Sequence, residues 1–252
     1  MIDPTARFSD RADAYVKARP SYPAALFDVL RAECGLGPAC VVADLGSGTG
    51  IFTRLLLEAG AIVHAVEPND DMRAEAERAL ARNERFHSVK GSAEATTIAT
   101  GTIDLVTAAQ AFHWFDHAKT KSEIVRIGKD GAMTALVWND RDLDGTPFLR
   151  DYEAILLRHC PSYQALQGKA NTPAKFDVLF GEGRWSRRSI PNAQELDREG
   201  LHARVMSASY APREGEAHRA LVAALDDAFD RHAEGGRVSI TYACVVIFGR
   251  VK

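Results

Sequence analysis

The chain has 252 residues, 46% hydrophobic and 26% charged, with a formal net charge of −3. This composition supplies a core and excludes a disordered chain, and its acidic balance offers no basic surface to a phosphate backbone, so nucleic acid is not an expected partner. No apolar run approaches the roughly 18 residues of a membrane span.

Residues 9–18 and 22–34 read as two helices parted by Pro20 and Pro23. The apolar run Val41–Leu45 before a glycine cluster predicts a buried strand. A helix follows over 51–59, closed by Gly60, then a strand over 61–66. Asn69 caps a helix over 70–82 whose first turn carries Asp70 and Asp71, favourable to its dipole. Strands at 86–90 and 103–108, a helix at 117–127 and a strand at 132–138 continue the alternation, which predicts a parallel sheet covered on both faces.

From 139 to 182 the pattern changes. Gly145, Pro147, Pro161, Gly168 and Pro173 break up helical stretches at 148–159 and 174–180, and no convincing strand is legible. The segment reads as an insertion acting as a lid. A strand near 184–190, helices at 195–206 and 214–233, and a β-branched strand over 238–249 complete the chain. Arg184, Arg187 and Arg188 read as a solvated face. The N-terminal MIDPTARFSD lacks the basic and apolar halves of a signal peptide. The four cysteines (Cys34, Cys40, Cys160, Cys244) contain no CxxC pair, so they read as reduced, mostly buried thiols rather than metal ligands. A soluble cytoplasmic protein without a structural metal is expected.

The chemistry is concentrated at strand ends. In Asp44-Leu-Gly46-Ser47-Gly48-Thr-Gly50, between a strand and a helix, glycines let the backbone turn and approach a ligand closely. The third glycine falls one residue early for the dinucleotide fingerprint G-x-G-x-x-G, with Ile51 in its place. Asp44 is expected both to orient the loop amides and to touch ligand. Glu67 ends the second strand, where a carboxylate can accept both hydroxyls of a ribose. That role suits S-adenosylmethionine and a nicotinamide equally, and the D-x-G-x-G-x-G spacing favours the former. Gln110, His113 and Trp114 follow the fourth strand, at the carboxyl edge where ligands of open α/β sheets sit. His113 can orient a substrate or act as a base. Phe112, Trp114 and Phe115 read as core or pocket wall. No Ser-His-Asp elbow, Walker loop or HExxH site competes.

VADLGSGTG resembles the first motif of the class I methyltransferases, AVEPND their second-strand acidic motif, and GSAEAT at 91–96 the segment that lies against the adenine. Where that segment often carries aspartate this chain has Ser92, beside Ala93 and Glu94. AAQAFHWFD, VWNDRD and the pattern F-x₆-Y-x₃-R-P-x-Y-P (Phe8, Tyr15, Arg19, Pro20, Tyr22, Pro23) are similar to the branch containing trans-aconitate methyltransferases.

The resemblance implies an α/β, Rossmann-like seven-stranded sheet in the order 3-2-1-4-5-7-6, its last strand antiparallel. The implied division is a helical cap over 1–36, a cofactor-binding core over 37–138, a lid over 139–182 and the rest of the sheet over 183–252. S-adenosylmethionine is the implied cofactor and S-adenosylhomocysteine the product. Gln110 would meet the methionine moiety, and Arg19 would pair with the methionine carboxylate or with a substrate carboxylate. Tyr15, Tyr22, His113, Trp114, Trp138 and Arg141 would meet a small-molecule acceptor, with Arg141 suited to an anion. The expected reaction is O-methylation of a small carboxylic acid, which is ionised at neutral pH and needs no base. A hydroxyl, nitrogen or carbon acceptor would call on His113, and the rival classes are a non-catalytic cofactor-binding protein and a nicotinamide-dependent oxidoreductase. The expected state is a monomer or weak homodimer.

Overall fold

The computed structural model describes residues 19–163, 172–208 and 210–252. The helix expected over 9–18, and with it Phe8 and Tyr15, lies outside the described residues.

The first described helix, α1 (Ala24–Cys34), starts after Pro23 and ends at Gly35 in the left-handed conformation. Strand β1 (Val41–Leu45) then leads into α2 (Ile51–Glu58), β2 (Ile62–Val66) and α3 (Asp70–Leu80). Asn69 caps α3, its side chain accepting the Met72 amide at 2.9 Å. Next come β3 (Phe86–Val89), β4 (Ile103–Ala109), a 3-10 turn over Phe112–Trp114, α4 (His117–Ile127) and β5 (Gly128–Arg141). The chain continues through α5 (Pro147–His159), α6 (Pro173–Phe180), β6 (Trp185–Leu196), α7 (Arg198–Met206), α8 (Gly215–His232) and β7 (Val238–Gly249).

The seven strands form one sheet in the order β3-β2-β1-β4-β5-β7-β6. β1 to β5 run parallel and β7 lies antiparallel between β5 and β6. Alternate residues of each strand serve opposite faces. Leu105, Ala135 and Val246 join α1 and α2 on one face, whereas Val106, Leu136 and Ile247 join α4 and α6 on the other. The order reverses between β1 and β4, the crevice at which ligands of such sheets bind.

The region after the fifth strand differs from the expectation. Asn139, Asp140 and Arg141 continue β5, each paired with β7, and β6 runs six residues beyond 190. Pairing along a long antiparallel ribbon supplies hydrogen bonds that local propensity does not reveal. Pro191 is tolerated because β6 is an edge strand. Asp197 then caps α7, its side chain accepting the Gly200 amide at 2.8 Å, so that helix starts later than 195. Within the segment expected as a lid, Phe176, Leu179 and Phe180 of α6 are buried against the sheet with α4.

A third apolar cluster joins α5, α7 and α8 to the first half of β7 through Leu149, Tyr152, Leu201, Leu225 and Ile240. Val238, Ile240 and Tyr242 point to the same side as Cys244 and Val246, so this cluster stands on the α1–α2 side, beyond the carboxyl ends of the parallel strands. All four cysteines are buried and unbridged. No described helix is long and apolar enough to cross a membrane.

Candidate functional site

The glycine loop is stitched to the end of β2. The amides of Gly46 and Ser47 donate to the Val66 carbonyl at 2.9 and 3.1 Å, and the Gly48 amide donates to Glu67 Oε2 at 2.9 Å. The other carboxylate oxygen of Glu67 accepts the Asn69 amide at 2.9 Å. Glu67 is only 7% exposed, and burial raises its pKa against the opposing pull of these amides and of Arg73. Each oxygen keeps acceptor capacity, so the carboxylate is a preorganised acceptor pair at the switch point.

Two glycines are required by the protein itself. A Cβ on Gly46 would lie 2.7 Å from the Ala111 Cβ, and one on Gly50 2.8 Å from Leu80 Cδ1, both at positive φ. Their absent side chains let the loop close against the segment after β4 and against α3.

Asp44 takes a different position from the one expected. It is 1% exposed, and its oxygens accept the hydroxyls of Thr53 (2.7 Å) and Thr107 (2.8 Å). Burial pushes its pKa up to about 6, helped by the charge of Glu67 and opposed by the two threonines. Asp44 therefore clamps α2 to β4 through its two threonine partners. Sequence reading did not find this clamp, because Thr53 and Thr107 carry no local signal of it.

Beyond β4, Gln110 adopts a left-handed backbone, with φ of 57°, while its amide donates to the Val137 carbonyl at 2.8 Å. Such strain in a residue with a full side chain concentrates at functional sites. His113 and Trp114 follow in the half-buried 3-10 turn, their rings 5.0 Å apart. Ser92 forms a small bridge with Ala95, and Ala93 is buried under it. Glu94 accepts the Asp116 amide at 2.9 Å and so holds the start of α4. The same segment is anchored by Glu123, which accepts the Thr96 amide (2.7 Å) and hydroxyl (2.6 Å) and both Nε and Nη2 of Arg126. Arg126 and Thr96 pull the Glu123 carboxyl down to about 2 against the cost of desolvation. Only the fold brings 96 and 123 together.

The described chain starts beside this loop. The ring of Tyr22 meets Phe52, in the first turn of α2, at 4.9 Å, and Arg19 is half-buried. The Ser21 carbonyl accepts the side-chain amides of Asn139 (3.3 Å) and Asn192 (2.8 Å), which bond to one another at 3.0 Å. Residues 19–22 thus reach from the glycine loop to the far ends of β5 and β6. Asn192 had no signature in the sequence.

Two expected acceptor residues do not share a pocket. Trp138 is 4% exposed and packs on Phe112 and Phe176 on the α4–α6 side. Arg141, three residues along the strand, points to the opposite side by strand parity. It pairs with Glu153, donates to the Tyr163 hydroxyl at 2.7 Å and lies over the Tyr152 ring at 4.9 Å. Trp138 is core, and Arg141 belongs to the third cluster.

A nucleoside cofactor fits the residues around the loop. The hydroxyls of Ser47 and Thr49 are buried without a hydrogen-bond partner among the described residues, beside the Glu67 carboxylate. Buried polar atoms without partners are rare in finished interiors.

Residues 43–136 match the family model described as a methyltransferase domain. An uncharacterized methyltransferase of Mycobacterium tuberculosis is 37% identical over 142 residues, 56% of this chain and 55% of that protein. The chain thus aligns with about half the length of these mycobacterial relatives. A methyltransferase-like protein of Schizosaccharomyces pombe is 31% identical over 209 residues, 80% of this chain and 77% of the yeast one. Among solved structures, one from Anaeromyxobacter dehalogenans assigned as a type II methyltransferase superposes with a TM-score of 0.62. It is 23% identical, covering 92% of this chain and 98% of its own. One from Anabaena variabilis, assigned as a methyltransferase of an antibiotic biosynthesis pathway, gives 0.63 at 20% identity, covering 94% and 99%. These two carry the fold alone.

Proposed function

The chain belongs to the class I S-adenosylmethionine-dependent methyltransferases, and on that premise we propose that it methylates a small molecule, most simply on the oxygen of a carboxylic acid. The observation that carries the cofactor half is the buried Glu67 carboxylate fixed by the Gly48 and Asn69 amides, with the partnerless Ser47 and Thr49 hydroxyls beside it. When bound, the cofactor supplies a methyl group activated by a sulfonium. Glu67 would accept the ribose hydroxyls, Ser92 and Ala93 would lie along the adenine, and Ser47, Gln110 and Arg19 would face the amino-acid end.

Tyr22, His113 and Trp114 would line the acceptor side. What these residues must do is align the acceptor and keep water out. A carboxylate arrives ionised, so no side chain needs to take a proton. The second reading is a hydroxyl, nitrogen or carbon acceptor with His113 as base, favoured by its place in the turn that follows the strained Gln110. The carboxylate choice rests on the branch resemblance.

The test is incubation with methyl-deuterated S-adenosylmethionine, a panel of organic acids and a metabolite extract, read by mass spectrometry. A labelled product lost on mild alkaline hydrolysis is the expected ester. A base-stable labelled product overturns the carboxylate reading and turns attention to His113. Cofactor binding with no labelled product from any acceptor counts against methyl transfer to a small molecule.

A further inference from the structure

Outside the cofactor loop, three described residues with a buried polar atom that lacks a hydrogen-bond partner, Arg141, Tyr152 and Arg204, lie at the third cluster. Arg204, on α7, is 7% exposed in an apolar and aromatic setting. Its side-chain hydrogen bond is a long one, Nε to the Tyr242 hydroxyl at 3.4 Å, and no carboxylate pairs with it among the described residues. Its Nη1 is buried with no partner. Arg141 Nη1 and the Tyr152 hydroxyl share that condition. Tyr152 is 1% exposed, and its burial keeps the phenol a neutral donor although both guanidiniums act on it.

Among the described residues the charges do not cancel. Arg141 and Arg204 bring two positive charges and Glu153 one negative, while the other described groups acting on the arginines, Tyr152, Tyr163, Tyr210 and Tyr242, are phenols. A buried guanidinium without a counter-ion is expensive, and its planar fork of donors matches a carboxylate. One monoanion would neutralise the cluster and could take up the three idle donor atoms. A planar carboxylate meets that count; a phosphate dianion would exceed it.

We propose that Arg141, Arg204 and Tyr152 form an anion site that anchors a carboxylate of the methyl acceptor. The proposal takes the acceptor reading above as its premise and adds where and by what the acceptor is held. The anchored carboxylate is not the reacting group. Arg141 stands four residues beyond Val137, whose carbonyl binds the Gln110 amide. At about 3.3 Å per residue that is roughly 13 Å along the strand from the edge where His113 and Gln110 sit. An open hollow of about 560 Å³, lined by Asp142, Arg150 and Glu153 among others, reaches Arg141 from outside.

The experiment is thermal unfolding of the full chain at constant ionic strength, with hexanoate or inorganic phosphate as probe, with and without S-adenosylhomocysteine. Hexanoate is expected to raise the wild-type melting temperature saturably, by about 4 °C, and phosphate to leave it unchanged. Arg204→Met should lose the hexanoate shift, keep the S-adenosylhomocysteine shift and melt no lower than wild type without ligand, because it removes an unpaired buried charge. Should that variant fail to fold, Tyr152→Phe replaces it, with a hexanoate affinity at least about five-fold weaker. No carboxylate response in the wild type, a response to phosphate alone, or a hexanoate shift that survives the folded variant overturns the proposal. A hexanoate shift with no S-adenosylhomocysteine shift would sink the cofactor reading and leave the anion site standing.

Discussion

The two ends of the crevice are built on different plans. Around the glycine loop, Glu67 at the end of the neighbouring strand holds the Gly48 and Asn69 amides and Asn69 caps α3, while the Ser47 and Thr49 hydroxyls have no partner among the described residues. In the third cluster, Arg141, Tyr152, Arg204 and Tyr242 come from four elements spread over a hundred residues, and the hydrogen-bonding capacity of the two arginines is left incomplete. The first plan suits an invariant ligand, whose site can be folded locally and in advance. The second suits an acceptor, whose recognition is completed only by the ligand's own charge.

The sharpest way to break this contrast is at Gly46. A valine there would put its Cβ 2.7 Å from the Ala111 Cβ at a φ of 66°. Gly46→Val is expected to cost about 2–4 kcal/mol of stability, combining overpacking with backbone strain. Chemical denaturation measures it. A variant as stable as wild type would mean that the loop is not held against the segment after β4.

Glu67→Ala is expected to weaken S-adenosylhomocysteine binding by roughly 1–3 kcal/mol, the scale of lost hydrogen bonds to a charged group. Calorimetric titration of the folded variant checks this, and unchanged affinity would remove Glu67 from the cofactor site. A smaller effect is expected at Asn192, which ties Ser21 to β6. Asn192→Ala should cost about 1 kcal/mol and appear in the KM for the acceptor, while cofactor affinity stays put. A loss confined to the cofactor would place residues 19–22 on the other side of the contrast.

The smallest expected effect is a pH slope. Asp44 has a folded-state pKa of about 6 against an ordinary 3.8. Its stabilising contribution is therefore fully present below 3.8 and is lost as pH rises through about 6. Asp44→Asn should flatten the fall in melting temperature over that window, a change of about 2–4 °C. Glu123 acts in the opposite sense and in a lower window: its contribution is present above its ordinary 4.5 and lost as pH falls towards about 2. Identical wild-type and Asp44→Asn profiles between pH 4 and 6 would mean that Asp44 is not a desolvated carboxylate.

The sequence by itself determined the sheet, its order through the family resemblance, and the glycine loop with Glu67. These rest on short-range patterns: alternation of strands and helices, glycines at a sharp turn, an acid at a strand end. Helix 117–127 and strand 238–249 stand where their periodicity put them. Asp44 was legible as a residue but its clamp was not, since its threonine partners lie 9 and 63 positions away. What only the tertiary structure decided is the far side of the crevice. Whether β5 stops at 138 or runs to 141 depends on a partner strand a hundred residues later, and that register sends Trp138 into the core and Arg141 to the other face. Arg204 has no motif at all. A guanidinium in a helix looks like a surface charge until the helix is packed, and only then does its burial with no counter-ion among the described residues become visible.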